Sequence, residues 1–146
     1  MNNLILNEEN ILLNTAAEGK YDAIERAGRL LADNGYVAIE YVEGMKKRED
    51  EITTYIGNGI AIPHGTSEYI KHIRKSGIVV VQYPEGVDFG AGNVAFILIG
   101  IAGQNDEHLE ILSAIALVCS DEQNVDKLRN ACTKEEIISI LTEGDV

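Results

Sequence analysis

The chain has 146 residues, 45% hydrophobic and 25% charged, which is enough to bury one core and too apolar for a disordered polymer. Acidic residues number 24 against 12 basic ones, for a net charge of −12; such a surface repels nucleic acid and anionic lipid, and it either serves plain solubility or favours a basic protein partner. No apolar run is long enough for a membrane span, and Met1-Asn2-Asn3-Leu4 lacks the basic segment and cleavage site of a secretory leader, so a cytoplasmic protein with no membrane insertion is expected.

The first apolar patch, Ile11-Leu12-Leu13, reads as a short strand. From Lys20 to Asn34 the residues Tyr21, Ile24, Ala27 and Leu31 recur at helical spacing, and Gly35 follows where a left-handed cap belongs. A second helix is expected from about Val37 to Glu49, with the inward stripe Ala38, Tyr41, Met45 and Arg48. A guanidinium at the edge of a buried stripe needs a carboxylate, a group of backbone carbonyls or an anionic ligand. Lys46 and Lys47 read as solvated.

The segment Gly59-Ile60-Ala61-Ile62-Pro63-His64-Gly65-Thr66 joins a short buried strand to a proline, a histidine and a glycine. Pro63 donates no ladder hydrogen bond, so the strand stops there or lies at an edge. Gly65 lets the backbone turn sharply and a partner approach closely. The pattern holds the His64 imidazole still with one side open. On local pattern alone His64 is either a hydrogen-bonded structural residue or a nucleophile that carries a phosphoryl group. Residues 67–75 read as a short helix or turn capped by Ser67, with His72 exposed and unspecialised.

Ile78-Val79-Val80-Val81 is a β-branched run expected to form a central strand. Tyr83-Pro84-Glu85-Gly86 reads as a turn, with Val87-Asp88-Phe89 a short segment after it. Residues 94–101 are nearly all apolar, as suits a strand covered on both faces. A helix then starts, with Asn105 as its cap and Asp106 and Glu107 in its first turn. Counting from His108, steps of four, seven and eleven reach Leu112, Ile115 and Cys119, which places His108 on the buried stripe at a strand-to-helix junction. Two further helices are expected over 122–131 and 134–141, the last with a Thr133/Glu136 capping box. Cys119 and Cys132 read as reduced and buried. The expected fold class is α/β: a single domain over 1–146, with a small mixed sheet of parallel and antiparallel strands flanked by helices on both faces.

His64 follows a strand, His108 opens a helix after a strand, and Arg48 ends a helix on its inward side. Sites in α/β sheets gather beyond strand ends, beside helix N-termini. Phosphoryl transfer needs positioning, charge stabilisation and a nucleophile, and these three residues can supply them. Asp106 and Glu107 oppose an anion and should point away or touch a cation. Metal chemistry would need a third ligand, and no HExxH or CxxC spacing occurs. Gly57-Asn58-Gly59 is followed by Ile62 where a dinucleotide loop wants glycine, Gly19-Lys20 is followed by Tyr21 rather than Ser or Thr, and no Gly-x-Ser-x-Gly occurs. No cofactor and no metal are expected.

Gly59 to Thr66 together with Asn105-Asp106-Glu107-His108-Leu109 resembles the enzyme IIA component of the phosphoenolpyruvate-dependent sugar phosphotransferase system, mannitol/fructose class, over nearly the whole chain. Gln82-Tyr83-Pro84-Glu85-Gly86-Val87 resembles its mannitol branch. The resemblance implies that His64 is phosphorylated by phospho-HPr and passes the group to a cysteine of the IIB domain of the mannitol permease. It implies that His108 steadies the phosphoryl group and that Arg48 pairs with it. Nitrogen-type regulatory relatives, which control other proteins through their phosphorylation state, carry a similar histidine and stand as the alternative.

Overall fold

Two apolar strands whose alternate residues face opposite ways need a layer of helix on each side. The structure, a computed structural model, describes residues 6–104 and 107–143, and it has this arrangement. In chain order the elements are β1 (Ile11–Leu12), α1 (Lys20–Asp33), α2 (Tyr41–Glu51), β2 (Tyr55–Gly57), β3 (Ile60–Ala61), a 3-10 turn (Ser67–His72), β4 (Gly77–Gly90), β5 (Asn93–Ala102), α3 (Glu107–Cys119), α4 (Glu122–Asn130) and α5 (Lys134–Glu143). They form a five-stranded sheet in the order β1-β4-β5-β3-β2. The β1/β4 and β3/β5 pairs are parallel; β4/β5 and β2/β3 are antiparallel.

Period-two alternation sorts the core. Ile78, Val80, Ile97, Ile99 and Ile101 face α3, α4 and α5, where they meet Ile115, Val118, Leu128 and Ile137. Val79, Val81 and Leu98 face α1 and α2, against Ile24, Ala27, Leu31 and Met45. Each such side chain contributes roughly 1.5–3 kcal/mol relative to exposure, which outweighs the modest helix propensities of the covering segments.

Helices α1, α4 and α5 fall close to their expected spans. Gly35, at φ +84°, is the left-handed residue past α1, and the N–H groups of Gly35 and Tyr36 close its last turn on Ala32 and Leu31. The Thr133 hydroxyl accepts from the Glu136 N–H at 3.2 Å and meets its carboxylate, so the capping pair ahead of α5 is present. Asn105 and Asp106 lie outside the described residues.

Several expectations are corrected. Helix α2 starts at Tyr41 rather than near Val37, because the preceding backbone is engaged elsewhere: Val37 bridges Ile73 and the Ala38 N–H bonds the His72 carbonyl at 2.8 Å. Tyr83 to Gly86 is no reversal but an irregular part of the long strand β4, where Gly86 at φ +88° absorbs a register shift against β5. The chain turns instead at Ala91 and Gly92, both with positive φ, between the paired Gly90 and Asn93. Residue 66, not Ser67, is the cap position of the 3-10 turn. Lys46 is half-buried and ion-paired with Glu25 at 2.5 Å, whereas Lys47 is exposed as expected, above the Tyr69 ring. His72 is half-buried against Tyr69 rather than exposed. Cys119 is buried, with its thiol pushed up to about 12 by burial, whereas Cys132 is exposed.

Candidate functional site

The site is built around the chain leaving β3. An Asn58-Gly59 pair with φ of 52° and 81° makes the two-residue hairpin that joins β2 to β3. Strand β3 then lies beside β5, inside the sheet, and ends at Ala61 ahead of the proline. Beyond it the Ile62 N–H bonds the Thr54 carbonyl at 3.0 Å, and the Pro63 carbonyl accepts from the Ile101 N–H at 2.9 Å. His64 therefore stands on backbone tied to the sheet on both sides.

The His64 Nδ1 atom lies 2.8 Å from the Ile62 carbonyl oxygen. A carbonyl only accepts, so Nδ1 carries the proton and Nε2 keeps its lone pair. The ring is more covered than a half-open imidazole: His64 is 8% exposed, because strand backbone backs it and the His108 ring lies against it. The two ring centroids are 5.1 Å apart with planes inclined by 55°. Its opening is the side that faces a cavity of about 380 Å³, also lined by Arg48, His108, Thr66, Glu51 and Glu68.

Tyr41 holds this segment from the other side. Its hydroxyl donates to the Ile101 carbonyl at 3.0 Å and accepts from the Gly65 N–H at 2.8 Å, which links α2, the end of β5 and the residue after His64. A Cβ at position 65 would sit 2.6 Å from the Tyr41 ring, so the close approach requires glycine there. Burial pushes the Tyr41 phenol up to about 12, so it remains a neutral donor. The sequence placed Tyr41 on the inward stripe but gave it no role; the signal was a hydroxyl on that stripe, which must find a partner.

His108 is half-buried in the first turn of α3, at the inner edge of the buried face formed by Ile111, Ala114, Ile115 and Val118. The junction that aims it is braced. The Ser76 hydroxyl accepts from the Gln104 N–H at 2.9 Å and donates to the Glu107 carboxylate at 2.8 Å. A Cβ at Gly103 would lie 2.5 Å from the His108 Cα. Glu107 is thus held on Ser76; Asp106 lies outside the described residues.

Arg48 is half-buried, and its Nη1 donates to the Ile52 carbonyl. Of the three partners its position called for, the structure supplies a backbone carbonyl. The neighbouring Glu49 carboxylate is buried and points elsewhere: it accepts from the Thr54 N–H and hydroxyl at 2.8 Å each, and lies 3.6 Å from the Lys20 ammonium.

Both imidazoles are held neutral. Burial lowers the His64 pKa from its ordinary value, against the Ile62 carbonyl, which favours the protonated ring; His108 and Arg48 lower it further, and the Glu49 charge raises it. Burial and then Arg48 lower that of His108. The cavity thus presents an unprotonated nitrogen, a second imidazole and a permanent cation. Among the described residues, no group of three or more His, Cys, Asp or Glu side chains is placed to hold a metal ion, and no helix is long and apolar enough to cross a membrane.

The chain is 53% identical over 139 residues to the mannitol-specific phosphotransferase enzyme IIA component of Geobacillus stearothermophilus, covering 95% of this chain and 96% of that one. It is 48% identical to the protein of the same description from Bacillus subtilis, over 95% and 97% of the two chains. Among solved structures it is similar to enzyme IIAMTL in the complex with phosphorylated enzyme IIBMTL from Escherichia coli, with a TM-score of 0.91, 38% identity, and coverage of 96% of this chain and 99% of that one. The family described as phosphoenolpyruvate-dependent sugar phosphotransferase system, EIIA 2, matches residues 4–144, and the chain belongs to that family.

Proposed function

We propose that the chain, as one EIIA domain, is the mannitol-type phosphocarrier in which His64 takes a phosphoryl group from phospho-HPr and passes it to a cysteine of the IIB domain of the mannitol permease. The observation that carries this reading is one cavity that brings an imidazole with a free Nε2, a second imidazole 5.1 Å away and the Arg48 guanidinium together. The Nε2 lone pair attacks phosphorus as the donor's N–P bond breaks, and the donor imidazole leaves with the bonding pair. The Nδ1 proton stays on Nδ1, donated to the Ile62 carbonyl oxygen, so the product is a phosphohistidine whose other nitrogen is already hydrogen-bonded. In the second step a IIB thiolate attacks the same phosphorus and His64 departs neutral. His108 and Arg48 bear the charge spread over the phosphoryl oxygens.

The rim suits protein partners. Glu51 and Glu68 line the cavity and complement a basic HPr face. Ile52, Ile70 and Leu109 are 68%, 46% and 64% exposed and offer apolar contact in the sequence neighbourhood of Arg48, His64 and His108. Such encounters are transient and need only a modest interface. With this role the protein works in the cytoplasm. The nitrogen-type regulatory reading shares the histidine, and a pull-down separates the two: a mannitol-type IIB domain is the expected partner, whereas recovery of a potassium channel or kinase instead supports regulation.

The direct test mixes the protein with phosphoenolpyruvate, enzyme I and HPr and follows its mass. A gain of a single phosphate, lost in acid, is expected; no gain rejects the reading. His108→Ala is expected to accept phosphate and to deliver it to IIB slowly, by roughly 100-fold or more, as for removal of one donor to a developing anion. Sugar phosphorylation at an unchanged rate with that variant would remove His108 from the mechanism.

A further inference from the structure

Two residues after His64, Thr66 lines the same cavity as His64, His108 and Arg48. It is 7% exposed, and its hydroxyl meets no hydrogen-bond partner among the described residues. Local structure offers it a use that it does not take. Thr66 stands at the cap position of the 3-10 turn Ser67–His72, where a side-chain oxygen ordinarily accepts from the backbone, yet its side chain makes no cap bond, and the Tyr69 N–H goes to the Thr66 carbonyl at 3.0 Å. Buried polar groups are as a rule hydrogen-bonded, and exceptions call for an explanation. The explanation nearest to hand is an acceptor that arrives with the reaction.

We infer that the Thr66 hydroxyl donates a hydrogen bond to an oxygen of the phosphoryl group carried on His64, beside the charges supplied by His108 and Arg48. The inference rests on the phosphohistidine reading above. Thr66 makes and breaks no covalent bond, and its proton stays on its oxygen. Its contribution is made only when the group is present, the condition under which an interaction favours the phosphorylated state over the free one. The cost falls on the free protein, which keeps a buried hydroxyl unpaired.

That asymmetry gives the test. Thr66→Val has nearly the same shape without the hydroxyl, and Thr66→Ser restores it. Each is treated with phosphoenolpyruvate, enzyme I and HPr; the rate of mass gain, the 31P shift of the phosphohistidine and the melting temperature of the unphosphorylated protein are recorded. Unphosphorylated Thr66→Val is expected to melt at or above wild type. It is expected to gain phosphate roughly 10- to 100-fold more slowly, as for a hydrogen bond lost to a charged group, with a displaced 31P resonance, and Thr66→Ser to recover both. Thr66→Val phosphorylation at the wild-type rate with an unmoved resonance overturns the proposal. So does a Thr66→Val chain that fails to fold, since the hydroxyl would then be structural, and so does a serine variant that behaves like valine. Acid-labile phosphate on a His64→Ala chain would defeat the parent reading instead, which keeps the two failures apart.

Discussion

His64→Ala mixed with phosphoenolpyruvate, enzyme I and HPr is expected to gain no acid-labile phosphate, while wild type is labelled to completion. The substitution removes the nitrogen proposed as nucleophile, and the imidazole left in the cavity, that of His108, is not placed as His64 is. His108 stands in the first turn of α3, its ring centroid is 5.1 Å away, and no hydrogen bond among the described residues fixes its Nδ1 as the Ile62 carbonyl fixes that of His64. The fold should survive, because the segment is held by backbone bonds on Ile62, Pro63 and Gly65 that do not involve the imidazole. The measurement is phosphate incorporation by mass, alongside circular dichroism to show that the variant is folded. Full labelling of the folded variant would refute the site.

The wild-type pH profile follows from the same geometry. Attack needs the unprotonated ring, and burial, His108 and Arg48 all hold the His64 pKa below the ordinary value of 6.5. Acceptance should therefore persist as pH falls past 6.5 and fail only through the lowered value. Stability follows with the matching sign. Below 6.5 the unfolded chain binds protons that the folded one refuses, so the stability present above 6.5 is lost as pH drops towards and through the folded pKa.

Arg48→Gln is expected to change both the rate and this profile. In the proposed role, Arg48 bears charge that develops on the phosphoryl group, and losing one such donor slows transfer by roughly 100- to 1000-fold. Arg48 also disfavours protonation of both rings, so without it the two pKa values rise towards the ordinary histidine value and the acid limb of the rate profile moves to higher pH. Rapid-quench phosphorylation by phospho-HPr over a pH series reads both effects. A slower variant with an unmoved acid limb would mean that Arg48 acts on the phosphoryl group without setting the state of the imidazoles. An unchanged rate would remove it from the site.

The alternation in Ile78-Val79-Val80-Val81, the helical spacing from Tyr21 to Leu31 and the capping pair Thr133/Glu136 were legible along the chain because each records a local rule: period two, period 3.6 and a cap. Those rules also place His64 at a strand end, His108 at a helix start and Arg48 on an inward face. They fail where a distant partner outbids local preference. Pro84 and Gly86 read as a turn, yet β4 runs through them because β5 offers a continuous ladder. Val37 and Ala38 read as helix, yet they bond Ile73 and His72. Asn58-Gly59 is a hairpin signal that overlies the failed dinucleotide pattern Gly57-Asn58-Gly59, and the structure resolves it as the β2/β3 turn.

What the sequence determined alone was the layered α/β class, the absence of a P-loop, dinucleotide or metal-ligand pattern, and three polar side chains in places where α/β folds keep their sites. Only tertiary structure could decide that residues 48, 64 and 108 meet in one cavity, because a separation of 44 residues between the two histidines carries no distance; β5 running parallel to β3 turns that separation into 5.1 Å. It also decided which His64 nitrogen is free and that the Thr66 hydroxyl has no hydrogen-bond partner among the described residues. Hydrogen-bond partners such as the Ile62 carbonyl and the Tyr41 phenol are settled by where the backbone passes, and side-chain identity does not encode that path.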